Sequence, residues 1–279
     1  MLTVVDYFTY KPVHGAPEAA AAVFAGIAVF AGIQIARKGA ALWTTILAAT
    51  AVAESIGYIF RAVCIDHISL GLFICMNLFL LLPPNALALF NYKTIATVVR
   101  QSGVPARHFW LRPRFITWFF FASDIFSFLL QSAGASLTAQ KASVTVGRWI
   151  CLVGLAIQLV FLSLFTAIVI VVARNPLYVV THHPAHMSAA TAKRRVMTVI
   201  LSTTVLVFVR SVYRLAEFAD GYGGKIYSAE WALYVFDTVA ILGMYAVYLG
   251  FVVVRYFPRH PCEPAKMDEV EMLSEQRRH

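Results

Sequence analysis

The chain has 279 residues, of which 60% are hydrophobic and 13% charged, with a formal net charge of +9 and a mean hydropathy of +0.73. A soluble domain averages nearer half apolar and a quarter charged, so the composition excludes an ordinary water-soluble fold and signals a polytopic membrane protein. Four cysteines, with no CxxC and no Cys/His pairing at zinc spacing, argue against a thiol-redox or zinc framework.

Seven apolar segments approach the length needed to cross a bilayer, about 20 residues. They lie near 17–36, 41–65, 70–92, 115–137, 147–173, 196–219 and 229–255. The expected architecture is all-α, a seven-transmembrane-helix domain over 1–256, followed by a tail over 257–279. The tail is rich in Pro, Arg and Glu without an apolar run and is expected to be disordered. The first seventeen residues lack a basic region followed by an apolar core, so no cleavable signal peptide is expected. Cys64 and Cys75 fall near the ends of the second and third segments, and unpaired thiols are expected there over a disulfide. Pro83 and Pro84 interrupt the third segment. Proline removes a backbone donor and clashes with the preceding turn, which predicts a kink or local unwinding, either a static bend or a hinge. Aromatics such as those at 118–121 are expected to face lipid or its interface.

The basic residues predict the orientation. Sixteen fall on one side: Arg37 and Lys38; Lys93, Arg100, Arg107, Arg112 and Arg114; Arg174, Lys193, Arg194 and Arg195; Arg255, Arg259, Lys266, Arg277 and Arg278. Lys11, Lys141, Arg148 and Lys225 fall on the other. This bias predicts an outside N-terminus and a cytoplasmic C-terminus. It also accounts for the net charge without a nucleic-acid partner. The basic loops read first as solvated, topology-setting charge, with recognition of anionic lipid headgroups as the alternative. His182, His183 and His186 share a loop with no acid or cysteine and no helical register, so no metal is expected there, and no cofactor elsewhere.

Charged residues also occur inside the apolar segments. Arg210, Arg214 and Glu217 share one stripe of the sixth. The same seven-residue spacing, about 10 Å along a helix, recurs as Glu54 and Arg61 with Tyr58 between, as Asp124 and Gln131, and as Glu230 and Asp237 with Tyr234 between. In the expected topology these groups occupy the outer half of the bundle. Five acids and three arginines nearly balance, and Arg210–Asp237 and Arg61–Glu217 are the pairs to expect. Ionised groups at membrane depth face a protein interior or a watery cavity. Two readings stand: ion pairs that fix the packing, or a cavity for an amphiphile with a polar head. The number of charges favours the cavity, because glycines such as Gly147, Gly154 and Gly243 already permit close helix approach.

Several motifs carry a family resemblance. They are Glu54 through Gly57 and Tyr58 with Arg61, Leu82-Pro83-Pro84 with Tyr92, and Asp124 through Ser127 and Gln131 to Gly134. Gly147, Gly154, Leu155 and Gln158 follow, then Arg210 through Arg214 to Glu217 with Gly221, Glu230 through Tyr234 to Asp237, and His260-Pro261. In this order, over helices two to seven, they resemble the RTA-like fungal lipid-translocating exporters. Those are seven-helix proteins linked to sphingoid-base release, aminosterol resistance and porphyrin transport. The chain departs from the pattern at Ala96-Thr97, where a Gly-Arg is common, and at Cys262 after the His-Pro.

The resemblance implies a plasma-membrane translocase of amphiphilic lipids, sphingoid-base or sterol-like, with Gln158 added to the candidate site. The carboxylates would attract an amine; the arginines would hold a phosphate or carboxylate. No phosphate-binding Gly-x-x-x-x-Gly-Lys-Ser/Thr loop is present, so movement is expected to be passive, ion-coupled or partner-dependent. The alternative is a seven-helix lipid receptor or sensor without transport. No enzymatic activity is expected, because all eight histidines lie outside the spans, where a zinc hydrolase would need them.

Overall fold

An apolar run in lipid has no water to satisfy its backbone, so it closes its hydrogen bonds internally as a helix. The computed structural model describes residues 13–67, 69–102, 112–138, 143–180, 187–221, 224 and 229–251. Among them are α1 (Ala16–Lys38), α2 (Ile46–Asp66, entered through a 3-10 turn at Leu42–Thr45) and α3 (Leu70–Gln101). There follow α4 (Pro113–Thr138), α5 (Val144–Arg174), α6 (Ala189–Asp220) and α7 (Glu230–Gly250). Among the described residues, seven spans, from Ala16–Lys38 to Glu230–Gly250, are long and apolar enough to cross a membrane. The chain is a multi-pass membrane protein.

Two helices outrun the expected segments. α3 continues past Tyr92 to Gln101, and α6 begins at Ala189, before the run Lys193-Arg194-Arg195. Charge lowers hydropathy but does not break a helix, so these turns are helical where an apolar window ends. α3 also passes through Pro83 and Pro84 without interruption, so the expected unwinding is absent there. The histidine loop's 182, 183 and 186, the His260-Pro261 motif and the tail lie outside the described residues.

Neighbours in sequence are neighbours in space. Ala21 and Phe24 of α1 meet Ser55 and Tyr58 of α2. Thr50, Tyr58 and Arg61 of α2 meet Tyr245, Thr238 and Glu230 of α7. Phe24 also meets Tyr245, so α1, α2 and α7 pack as one group. α3 lies at the centre. It touches α2 where Gly57 faces Leu80, α4 and α5 through Tyr92 with Phe120 and Phe165, α6 through Asn91 and Thr203, and α7 through Phe90 and Tyr248. α4 and α5 approach most closely: a Cβ on Gly134 would stand 2.6 Å from the Gly147 carbonyl oxygen.

The outward surface is apolar, with Phe30, Phe126, Leu129, Trp149, Val160 and Val205 exposed, as lipid requires. Trp118 and Phe119 face outward as expected, but Phe120 is buried against Tyr92 and Phe165. The bundle's two ends differ in charge. Arg37, Lys38, Arg100, Arg112, Arg114, Arg174 and Lys193 to Arg195 gather where α1, α3 and α5 finish. At the opposite end Arg148 of α5 donates to the carbonyls of Phe218 (2.8 Å) and Ala219, closing the C-terminus of α6.

Candidate functional site

Charged side chains in an apolar helix lower their free energy by turning toward one another, and α2, α6 and α7 bring theirs together. Asp237 lies at the centre. One carboxylate oxygen pairs with Arg210 Nε and the other with Arg214 Nη2 at 2.5 Å. Arg214 reaches Glu217, three residues on in the same helix, at 3.1 Å. Arg61 of α2 pairs with Glu230 of α7 at 3.3 Å and lies over the Tyr234 ring, 5.6 Å from its centroid. The expected Arg210–Asp237 pair is thus present, whereas Arg61–Glu217 is replaced. Glu217 is taken by the arginine one turn before it, and the packing of α2 on α7 gives Arg61 a different carboxylate.

Asp237 sits in a turn of π-helix, Tyr234–Thr238, within α7. Such a turn holds an extra residue, so Glu230 and Asp237 do not continue one straight stripe as their spacing predicts. The wide turn aims Asp237 at two arginines of α6 while Thr238 keeps its hydroxyl 2.5 Å from that of Tyr58.

The proline pair joins this cluster. Pro84 has no N–H for the carbonyl of Leu80, four residues earlier. Arg210 Nη2 donates to that oxygen at 3.3 Å. Next to it Asn85 donates to Leu81 O and accepts from Gln158 Nε2 at 2.9 Å, and Gln158 accepts from Gln131 Nε2 at 2.8 Å. Gln131 and Gln158 therefore form a neutral relay across α3, α4 and α5, apart from the ions. Neither Asn85 nor the tyrosines beyond Thr238 stood out as site residues in the sequence. Tyr245 donates to Thr50, and Tyr248 to Asn91, each at 2.8 Å. The signal available was Tyr245 and Tyr248 at helical spacing from Thr238.

Two carboxylates remain. Glu54 of α2 is wholly buried, and neither of its oxygens has a hydrogen-bond partner, although Asp237, Arg210 and Arg214 lie near enough to act on it electrostatically. Asp124 of α4 is also buried; it lies beside the Tyr92 hydroxyl, with one oxygen unpartnered. Tyr92 and Leu80 are twelve residues apart on α3, about 18 Å along the axis. Asp124 is therefore well removed from the arginines, and the expected single cluster divides into an ion-pair centre holding Glu54 and a separate site at Asp124.

The family model described as RTA1 like protein matches residues 47–260, more than half of the chain. The chain belongs to the RTA1-like family. The family match begins at the start of α2 and takes in every residue of the polar interior described above. Among curated RTA1-like relatives, Protein RTA1 of Saccharomyces cerevisiae is 27% identical over 213 residues, 74% of this chain and 65% of that protein. Protoporphyrin uptake protein 1 of the same yeast is 28% identical, covering 74% of this chain and 66% of its own length. The Probable lipid transporter atnI of Emericella nidulans is 25% identical over 59% of this chain and 46% of that protein. The chain thus spans just under two thirds of the first two and about half of the third. No solved structure matches it.

Proposed function

We propose that the chain moves amphiphilic lipids across the membrane and receives a cationic headgroup, such as the amine of a sphingoid base, at its surplus carboxylates. One observation carries this reading. The three interior arginines are engaged by Asp237, Glu217 and Glu230, which leaves Glu54 and Asp124 as acids with no ion-pair partner among the described residues. An ionised carboxylate in such a place is costly until a counter-charge arrives. The arginines, already paired, are poorly placed to take a phosphate or carboxylate. Names given to family relatives speak of lipid transport and porphyrin uptake, both concerned with amphiphiles, and no catalytic step belongs to this reading.

Glu54 is closed off in the described conformation, so loading requires the helices to part. Pro83 and Pro84, whose freed carbonyl is held by Arg210, form the hinge in this proposal. The chain would sit in the plasma membrane with its basic end in the cytoplasm.

The test is movement of a fluorescent sphingoid base between leaflets of liposomes holding the purified protein. Glu54→Gln and Asp124→Asn each remove one charge-assisted contact, worth about 1.5–3 kcal/mol, so the rate should fall about ten- to a hundredfold. Undiminished movement in both variants would sink the proposal. Saturable binding without movement by the unaltered protein would favour a lipid sensor instead.

A further inference from the structure

Outside the polar interior, the basic end of the bundle contains a cavity of about 340 Å³ between the entry to α2, the last turns of α3 and the first turn of α4. Its walls include Trp43, Lys93, Arg100, Arg114 and Trp118, and among the described residues no carboxylate lines it. We propose that this cavity binds a phosphate group, held by Lys93, Arg100 and Arg114.

Four features support the assignment. First, three like charges around one hollow repel each other, and an anion between them reverses the sign of that interaction. Second, Arg114 stands in the first turn of α4, where the helix dipole disfavours a cation; its position does nothing for the helix and gains a purpose from an anion. Third, both threonine hydroxyls donate within their own helices, Thr97 to Lys93 O at 2.7 Å and Thr117 to Pro113 O at 3.2 Å. The cations are therefore left as the charged donors of the cavity. Fourth, the volume falls within the roughly 300–1,000 Å³ of small-molecule sites. Trp43 is half-buried against Phe90, while Trp118 is 69% exposed on the outer surface. Tryptophans mark the depth of lipid headgroups, and this pair flanks the cavity. A lipid phosphate could enter here with its chains lying along the apolar wall outside Trp118. A free phosphate ion would meet the same cations. This site does not rest on the carboxylate reading above, and its variants leave Glu54 and Asp124 untouched.

The experiment measures binding of short-chain phosphatidic acid to the purified full chain in detergent, with phosphatidylcholine of the same chain length and inorganic phosphate as separate ligands. Saturable binding of phosphatidic acid over phosphatidylcholine is expected. Arg100→Gln and Arg114→Gln should each weaken it about fivefold. Arg37→Gln removes an exposed charge from the same end and should leave it unchanged. Inorganic phosphate that fails to displace the lipid identifies a headgroup as the occupant; displacement at comparable concentration identifies the free ion, and either keeps the site. Equal weakening by Arg37→Gln, or none by Arg100→Gln and Arg114→Gln, overturns it. All three positions are exposed, and a matching thermal unfolding midpoint confirms that each variant is folded.

Discussion

Asp237 and Glu54 are both buried acids in the same centre, yet their removal should have opposite consequences. Asp237→Asn leaves Arg210 and Arg214 without their shared counter-ion, and breaking a buried pair from one side costs about 3–5 kcal/mol. The purified protein should then unfold at a clearly lower temperature. Glu54 holds no hydrogen bond to lose, so Glu54→Gln should leave the midpoint in place or raise it, while lowering lipid movement. A fall in stability for Glu54→Gln as large as for Asp237→Asn would make Glu54 part of the scaffold. The identity of these residues was legible from charge inside apolar runs, and so was the Arg210–Asp237 pair. Their complete pairing was not. Helical spacing says which residues share a face, but Arg61 selects Glu230 over Glu217 through the packing of α2 on α7, a contact that separates residues 169 positions apart.

The α4–α5 hairpin gives the sharpest test at the scale of elements. A methyl on Gly134 would sit 2.5 Å from Cys151 Sγ and 2.6 Å from the Gly147 oxygen, so Gly134→Ala must push the two helices apart, at about 1–3 kcal/mol. Gly26 of α1 has open space where its Cβ would be. There an alanine should be neutral, or stabilising by about 0.5–1 kcal/mol. Thermal unfolding of the two variants compares them directly. Gln158→Leu, which removes the middle of the neutral relay, should cost about 0.6–1.7 kcal/mol for each bond lost, as polar contacts between membrane helices usually do. The existence and order of the helices could be read from hydropathy because lipid demands apolar length. Their true ends could not, since the final turns of α3 and the first of α6 carry charge. The π turn in α7 was also hidden, because the run Tyr234 to Thr238 has no proline or glycine to mark it.

For the whole molecule, most described basic residues outside the polar interior gather at one end regardless of how the bundle inserts, and the proposed orientation puts that end in the cytoplasm. A cysteine at position 13 should react with an impermeant maleimide on intact cells, and one at position 38 only after permeabilisation, in a background whose native cysteines are replaced. Val13 and Lys38 are both exposed, and Cys64, Cys75 and Cys151 have free thiols. The reverse labelling pattern would invert the bundle and place the phosphate cavity in the other leaflet. The buried ion-pair centre and the basic cavity thus lie toward opposite ends of the bundle.

The wide turn of α7 also limits how this protein can change over generations. Losing one residue from Tyr234–Thr238 would restore ordinary helical pitch with the two flanks facing much as before, because the wide turn absorbs its extra residue within itself. Tyr245 and Tyr248 could then keep Thr50 and Asn91, while the residues inside the turn, Asp237 among them, would be turned away from their partners on α6. Substitutions in this turn can be absorbed one side chain at a time, whereas a deletion withdraws the central acid from both arginines together. The length of this short segment is therefore more constrained than its composition.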